Sequence, residues 1–331
     1  MITNGITLES AFAQDVHRSL QLRPRQLPSH YLYDALGSAL FDAICELPWY
    51  GITRAESRLL CRHRADIFAL LPDLARIVEL GPGDGRKLRM LLDGTSLPMS
   101  VHLVDVSTAA LARTAQALAE VAHLTVVPHE ASFEQGLDEV ARMPAEGVTL
   151  MLLLGSNIGN FDPQTSHALL RRIHSAIGTG GTLLIGTDLI KPERDLLRAY
   201  DDPLGVSAAF NLNVLLRINR ELGGNFDLAA FRHRAVWNRR SSRMEMYLVA
   251  TKRQVVRIDA IDLEVELAEE EPIWTESSYK DTASGWTRRL EEAGFATLEQ
   301  WIDNDDAFAL TLVRSVAAAA TSPPPPSPRS P

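Results

Sequence analysis

Cysteine is almost missing from this chain, with two residues among 331, Cys45 and Cys61. Neither lies in a CxxC or at metal-ligand spacing, which argues against a disulfide framework or a zinc site. Long apolar runs are missing as well. The stretch 148–155 is typical, and it falls far short of the ~20 residues that span a bilayer. There is no excess of positive charge: 33 Lys and Arg against 42 Asp and Glu leave a net charge of −9. That balance argues against nucleic acid, whose phosphates want a basic face. The opening residues MITNGITLES show no charged-then-apolar leader pattern. Of nine histidines none forms an HxH or HExxH pair, so no metal is expected. What is left is an ordinary soluble composition, 46% apolar and 23% charged, long enough for one large α/β unit or two modest domains. The expectation is a cytoplasmic enzyme-sized protein with no membrane partner.

From about residue 75 to residue 187, short Val-, Ile- and Leu-rich runs alternate with helical segments. The runs are 76–80, 101–106, 124–128, 148–154 and 182–187, each ending at polar or Gly residues, as strands buried on both faces do. Between them Leu111, Ala115, Leu118 and Ala122 recur at helical spacing. Asp162 and Pro163 form a helix start, and Gly178 a stop. Five strands with crossover helices imply a doubly wound parallel sheet with its ligand at the carboxyl ends of the strands. After Asp188 the rhythm breaks. A polar helical stretch, 200–225, leads to alternating strands at 244–250 and 255–266. A helix near 285–293 and a strand at 308–313 then return to the first sheet. The N-terminal 54 residues read as a non-sheet cover over the mouth between the two units. The last residues, 321–331, are Pro-rich and read as an idle, disordered or polyproline-like tail.

The first strand ends in Glu79-Leu80-Gly81-Pro82-Gly83-Asp84-Gly85-Arg86-Lys87. Glycines there let a ligand approach the backbone, and the following helix aims N–H groups at it. Gly85 comes two residues after Gly83, where the dinucleotide fingerprint wants its third Gly after three. The second strand ends in Asp105, a carboxylate suited to both hydroxyls of a ribose. Together they fit an adenosine ligand, with S-adenosylmethionine ahead of NAD; the plainer reading is a tight turn with a capping acid. The fourth strand runs into Gly155-Ser156-Asn157-Ile158-Gly159-Asn160, where a substrate would meet that ligand. Asn160 both donates and accepts, which suits an amino-acid carboxylate or amine. Equally, Asn157 and Asn160 close a loop ahead of Asp162. His233 reads as a hydrogen-bonded structural residue.

Several separated motifs resemble one family, the S-adenosylmethionine-dependent histidine Nα-methyltransferases of ergothioneine biosynthesis, which make the betaine hercynine. They are Tyr33-Asp34-Ala35-Leu36-Gly37-Ser38 with Leu40-Phe41-Asp42, and Leu47-Pro48 through Thr53-Arg54-Ala55-Glu56. Next come the Gly155–Asn160 loop, Gly186-Thr187-Asp188-Leu189-Ile190-Lys191 and Ala199-Tyr200-Asp201-Asp202. The longest runs from Gly205-Val206-Ser207 through Phe210-Asn211-Leu212-Asn213 to Asn219-Arg220-Glu221-Leu222. Met244-Glu245-Met246 and Thr275-Glu276-Ser277-Ser278 complete the set. The resemblance covers roughly residues 27–313.

The resemblance implies a Rossmann-like class I methyltransferase fold, with a mixed, mostly parallel sheet and an inserted α+β substrate-binding domain. The cofactor domain would be 55–189 and 282–316, and the substrate domain and lid 22–54 and 190–281, followed by the tail at 317–331. It implies S-adenosylmethionine at Gly81, Gly83, Lys87, Asp105, Ser132 and Phe133. L-Histidine would lie among Tyr33, Phe41, Tyr50, Asn160, Tyr200, Met246, Glu276 and Ser278. Within that set Asn160 and Tyr200 would hold the carboxylate, and Glu276 and Ser278 the imidazole. Tyr33 is the candidate catalytic residue, orienting the amine. A monomer is expected. The chain departs from the family at the cofactor loop, Gly81-Pro82-Gly83-Asp84-Gly85, where the family reads Gly-Ser-Gly-Thr. It departs again at Ser132, where an acid usually precedes the Phe near adenine. The third change is Trp49-Tyr50-Gly51-Ile52, which replaces Glu-Tyr-Tyr-Pro in the pocket lid. Alternative readings are a same-fold N-methyltransferase for another amino acid or small amine, a non-catalytic amino-acid-binding protein, and, disfavoured by the glycine spacing, an NAD-dependent oxidoreductase.

Overall fold

A computed structural model describes residues 10–317 except 96, 97, 122, 145 and 146. Ala122 and nearly all of the Pro-rich tail therefore lie outside the described residues. The N-terminal arm is α1 (Ala11–Gln21), the two-residue strand β1 (Arg25–Gln26), a 3-10 turn (Ser29–Leu32), α2 (Ala35–Cys45) and α3 (Gly51–Ala69). The alternating part follows as β2 (Leu74–Leu80), α4 (Arg86–Leu92), β3 (Met99–Asp105), α5 (Thr108–Leu118) and β4 (Leu124–Glu130). It continues with α6 (Phe133–Ala141), β5 (Val148–Leu153), α7 (Pro163–Ile177) and β6 (Thr182–Asp188).

The five expected strands are present within two residues at either end. β5 and β6 are built on the apolar runs Leu150–Leu153 and Leu183–Ile185 because both faces are covered, and every residue of β6 is buried. Helix α7 begins as its sequence says: Asp162 accepts hydrogen bonds from the Gln164 and Thr165 N–H groups, Pro163 fills the first turn, and Gly178 ends the helix at φ 66°.

After β6 come α8 (Glu193–Tyr200), α9 (Val206–Leu222), β7 (Phe231–Asn238), β8 (Arg243–Ala250), β9 (Gln254–Ile258), β10 (Leu263–Leu267) and β11 (Pro272–Tyr279). The chain then makes α10 (Ala283–Glu292), β12 (Phe295–Asp303) and β13 (Phe308–Ser315). The main sheet has the order β12-β13-β6-β5-β2-β3-β4. β13 runs antiparallel to both neighbours, and the other pairings in this sheet are parallel. The strand order reverses between β2 and β5, which opens a crevice at their carboxyl ends, at Leu80 and Leu153. A second sheet, β1-β11-β8-β7, lies alongside with β1 parallel to β11. This is the mixed, mostly parallel class I methyltransferase sheet, accompanied by an α+β unit.

Two expectations need correction. The run 255–266 is not one strand: it is the hairpin β9–β10, turned at Asp259–Ile261 with Asp262 in the left-handed region at φ 46°. The N-terminal arm is not wholly free of sheet, because β1 adds to β11. Helix α3, which starts at Gly51 and runs through the expected 54/55 boundary, packs on β13 and α4. Strands β7, β11 and β12 also went unassigned in the sequence. No helix among the described residues is long and apolar enough to cross a membrane.

Candidate functional site

The loop after β2 turns on three glycines at positive φ: Gly81 at 72°, Gly83 at 63° and Gly85 at 77°. Two of them are needed for close packing. A Cβ on Gly81 would lie 3.3 Å from both the Phe133 ring and the Asn157 amide, and one on Gly85 2.9 Å from Thr114 Cγ2. A Cβ on Gly83 would meet nothing within 4 Å, so the crest of the loop is open. Beneath it Glu79 is buried, with Oε2 lacking a hydrogen-bond partner among the described residues. Burial pushes that carboxyl up to about 8.

Asp105 ends the neighbouring strand. Burial raises its pKa, while hydrogen bonds from the Ser107 and Val106 N–H groups oppose the shift. The Ala131 N–H donates to the Asp105 carbonyl at 3.1 Å, which sets Ser132 and Phe133 beside it. Ser132 is the N-cap of α6: its hydroxyl accepts from the Gln135 N–H at 3.3 Å within a capping box. The Ser132 hydroxyl, expected near adenine, is thus engaged in holding its own helix.

The Lys87 ammonium lies 2.6 Å from Glu56 Oε2. Burial pulls its pKa down, but Glu56 outweighs that and leaves it raised. Glu56, 0% exposed, also accepts the Gly155 N–H at 2.9 Å on each oxygen. A Cβ on Gly186 would overlap this carboxylate. Glu56 therefore ties α3, α4 and the β5 turn together. It lies in a motif noted in the sequence, but no role was assigned to it, since a glutamate on a helix normally reads as solvated.

At the carboxyl end of β5 the chain makes a sharp turn, Gly155 at φ 75° and Ser156 at φ 58°, into the 3-10 turn Asn157–Asn160. Gly159 lets this turn lie against β11: its Cβ would stand 2.8 Å from the Tyr279 carbonyl and 3.5 Å from Ser278 Oγ. One pocket opens beside the turn, and all eight expected substrate residues line it: Tyr33, Phe41, Tyr50, Asn160, Tyr200, Met246, Glu276 and Ser278. Ile44, Ile52, Asn157, Ser207 and Phe210 line it too. Of the altered lid positions 49, 51 and 52, only Ile52 is among these. Gly51 instead sits where a Cβ would overlap the Asp306 carboxylate.

The pocket walls are aromatic. Tyr33 meets Phe41 edge-on at 5.4 Å between centroids and Phe210 at 5.2 Å; Tyr50 meets Phe41 at 6.1 Å and Tyr200 at 6.4 Å. Burial pushes the Tyr33 and Tyr50 phenols well above their usual range, so both stay neutral. Glu276 sits on β11 opposite Met246 on β8. Burial pushes its carboxyl up to about 7, against the pull of Lys280 and a hydrogen bond from Tyr33.

The Tyr200 hydroxyl donates to Ser278 Oγ at 2.9 Å, and Lys280 donates to Tyr200 at 2.7 Å and to Ser278 at 2.8 Å. Tyr200 and Ser278, expected at opposite ends of a substrate, thus share one hydrogen-bonded cluster. Lys280 went unnoticed in the sequence. His233 is structural, as read: Nε2 meets the Tyr200 carbonyl at 2.8 Å and Nδ1 the Asn211 amide at 2.9 Å. Among the described residues no group of three or more His, Cys, Asp or Glu is placed to hold a metal.

Residues 12–315 match the model of a family described as "Histidine-specific methyltransferase, SAM-dependent". The chain is 40% identical over 306 residues to the histidine N-alpha-methyltransferase of Mycolicibacterium smegmatis, covering 91% of this chain and 94% of that one. It is 32% identical over 251 residues to ergothioneine biosynthesis protein 1 of Schizosaccharomyces pombe, covering 72% of this chain and 32% of the relative. Among solved structures, an S-adenosylmethionine-dependent methyltransferase from Clostridium acetobutylicum aligns over 85% of this chain and 97% of its own, at 11% identity and TM-score 0.43.

Proposed function

Because the chain belongs to the family of histidine-specific, S-adenosylmethionine-dependent methyltransferases, we propose that it methylates the α-amino nitrogen of L-histidine three times, giving hercynine for ergothioneine biosynthesis. The observation that carries this reading is the buried Glu276 carboxylate beside Ser278, at one end of an aromatic pocket that opens by Asn157 onto the glycine loop. A carboxylate acceptor next to a hydroxyl suits an imidazole, and a phenyl ring would leave the free Ser278 hydrogen and the remaining Glu276 lone pairs without a partner.

The crevice residues fit an adenosyl ligand. Gly83 leaves the loop crest open to close approach, and Asp105 offers a carboxylate at the strand end for a ribose diol. The orphaned Glu79 oxygen lies under the same loop. Gly81, Gly83, Lys87, Asp105, Ser132 and Phe133 are the proposed holders, with Lys87 acting through its pair with Glu56. When bound, S-adenosylmethionine supplies an electrophilic methyl on a positively charged sulfur.

The chain's own part is to hold the amine on the line of attack. Asn160 is assigned to the carboxylate, Glu276 and Ser278 to the ring, and Met246 to the wall beside the ring; Tyr200, expected at the carboxylate, gives its hydrogen to Ser278 and so serves the ring end. Tyr33 orients the amine. Its phenol is neutral across the working pH range, so it acts by position and not as a strong base. The nitrogen must arrive unprotonated, and burial among Phe41, Tyr50 and Phe210 favours that by lowering the amine pKa. The same ring faces accept the growing methylated cation. Most of the acceleration then comes from alignment. In this reading the units at 55–189 with 282–316 and at 22–54 with 190–281 serve cofactor and substrate respectively.

The test is mass spectrometry of the purified protein incubated with S-adenosylmethionine and the common amino acids together. Gain of three methyls on histidine alone is the expected result. Gain on another amino acid would overturn the substrate assignment and keep the fold and mechanism, and no gain anywhere would overturn both.

A further inference from the structure

Lys280 follows β11, and its side chain is 0% exposed. Its ammonium lies 2.8 Å from Asp188 Oδ2, 2.7 Å from the Tyr200 hydroxyl and 2.8 Å from Ser278 Oγ. An ammonium has three hydrogens and no lone pair, so all its donors are committed. Asp188 balances the charge, and its other oxygen is held by Lys191 at 2.7 Å. Such burial is tolerated only with pairing of this kind.

The cluster has a definite polarity. The Tyr200 hydroxyl lies 2.9 Å from Ser278 Oγ, and a phenol is the more acidic of the two, so the shared hydrogen belongs to Tyr200. A serine oxygen has two lone pairs. Lys280 fills one and Tyr200 the other, so Ser278 can only donate its own hydrogen toward the pocket that it lines. Glu276, two residues earlier on the same face of β11, has the opposite character, since an ionised carboxylate can only accept.

We infer that Lys280 is a specificity-determining positioning residue that fixes Ser278 as a donor, so that the pocket reads a ring carrying one N–H and one bare nitrogen. The inference rests on the imidazole reading above and adds to it a residue that touches no substrate. Ser278 donates to the bare nitrogen and Glu276 accepts from the N–H, which selects one tautomer of the neutral ring. Without Lys280 the Ser278 hydroxyl regains a lone pair and can turn either way.

Two analogues separate the ring contacts. Pyrrolylalanine keeps an N–H and replaces the bare nitrogen by C–H; thiazolylalanine keeps the bare nitrogen and replaces N–H by sulfur. The wild type should prefer histidine to each by ~10²-fold or more in kcat/KM, as sites built around buried hydrogen bonds do. In Lys280→Met the histidine-to-pyrrolylalanine ratio should fall by about tenfold or more, chiefly through a higher KM for histidine. The histidine-to-thiazolylalanine ratio, compared at a pH above the Glu276 titration in both proteins, should stay within about threefold. A purely structural role would depress all three substrates alike, and unmoved ratios in a folded variant overturn the inference. If Lys280→Met does not fold, Tyr200→Phe frees the other lone pair and decides the matter: a lower histidine-to-pyrrolylalanine ratio supports the inference and an unchanged one overturns it. A wild type that leaves histidine unmethylated, or does not separate the three substrates, overturns the imidazole reading and this inference together.

Discussion

Tyr33 and Glu276 line the same pocket, the phenol drawing the carboxyl's pKa down, and through them the N-terminal arm meets strand β11. The pair links a neutral phenol to a carboxyl pushed up to about 7. It has a direct consequence for rate against pH. Below about 7 Glu276 is protonated and loses the charge that accepts a ring N–H, so kcat/KM for histidine should rise as pH climbs through that value. In Glu276→Gln this limb should vanish from the pH profile, leaving the limb set by the substrate amine. In Glu276→Ala imidazole selectivity should be lost, with KM for histidine up by about tenfold or more. Calorimetric affinity for S-adenosylmethionine should stay within about twofold, since Glu276 lies outside the proposed adenosyl crevice. Unchanged histidine kinetics would sink the assignment.

Asp105→Ala should weaken S-adenosylmethionine binding by about 10- to 100-fold, the usual cost of a charge-assisted hydrogen-bond pair. KM for histidine, measured at saturating co-substrate, should stay nearly constant. An unaltered dissociation constant would refute the ribose role.

Glu79 gives a prediction about stability. Its pKa is raised by burial from 4.5 to about 8 in the folded chain, so between these values the unfolded state releases a proton that the folded state keeps. Stability from this group is therefore greatest below about 4.5 and declines until about 8. Glu79→Gln removes the titration and should raise the melting temperature at pH 7, by an amount on the order of a few kcal/mol in stability. The gain should shrink toward pH 4.5 in calorimetric scans. A variant equally or less stable at pH 7 would mean that the carboxyl is ionised beside Lys87.

Gly186→Ala places a methyl on the Glu56 carboxylate and 2.9 Å from the Phe308 ring. Both neighbours are fully buried and cannot move aside, so a loss of about 2–4 kcal/mol is expected. Urea titration measures it. A near-neutral result would show that Glu56 can release the Gly155 N–H without cost.

The sequence displayed the parallel half of the fold clearly, because β5 and β6 are covered on both faces and carry unbroken apolar runs at Leu150–Leu153 and Leu183–Ile185. β7, Phe-Arg-His-Arg-Ala-Val-Trp-Asn, carries Arg232 and Arg234, and β12 carries exposed Glu299 and buried Asp303, so their alternation was diluted. The hairpin β9–β10 was joined into one run because its turn, Asp259–Ile261, keeps Ala260 and Ile261 apolar. The eight residues proposed to hold the substrate were legible through family motifs, and the structure gathers them around one pocket. Glu56 and Lys280 were not, since a charged side chain carries no mark in the sequence that distinguishes a buried partner from a solvated one. Only the glycines at 155 and 186 hinted that something bulky lay against them.

The strand order also sets a timetable for the growing polypeptide. Residues 74–188 can pair as they emerge, strand beside strand, but β6 then stands with an open edge until β13 arrives at Phe308–Ser315. The arm bearing Tyr33 and Phe41 waits in the same way for α9 and β11, against which it packs. The cavity that would receive the amino acid is therefore closed near the end of synthesis, by segments drawn from both ends of the chain. Contacts of such long sequence separation form slowly and leave unpaired surface exposed in the meantime. Newly made chains should thus be more vulnerable to aggregation through the β6 edge than the finished protein is, long after the parallel strands β2–β6 have taken shape.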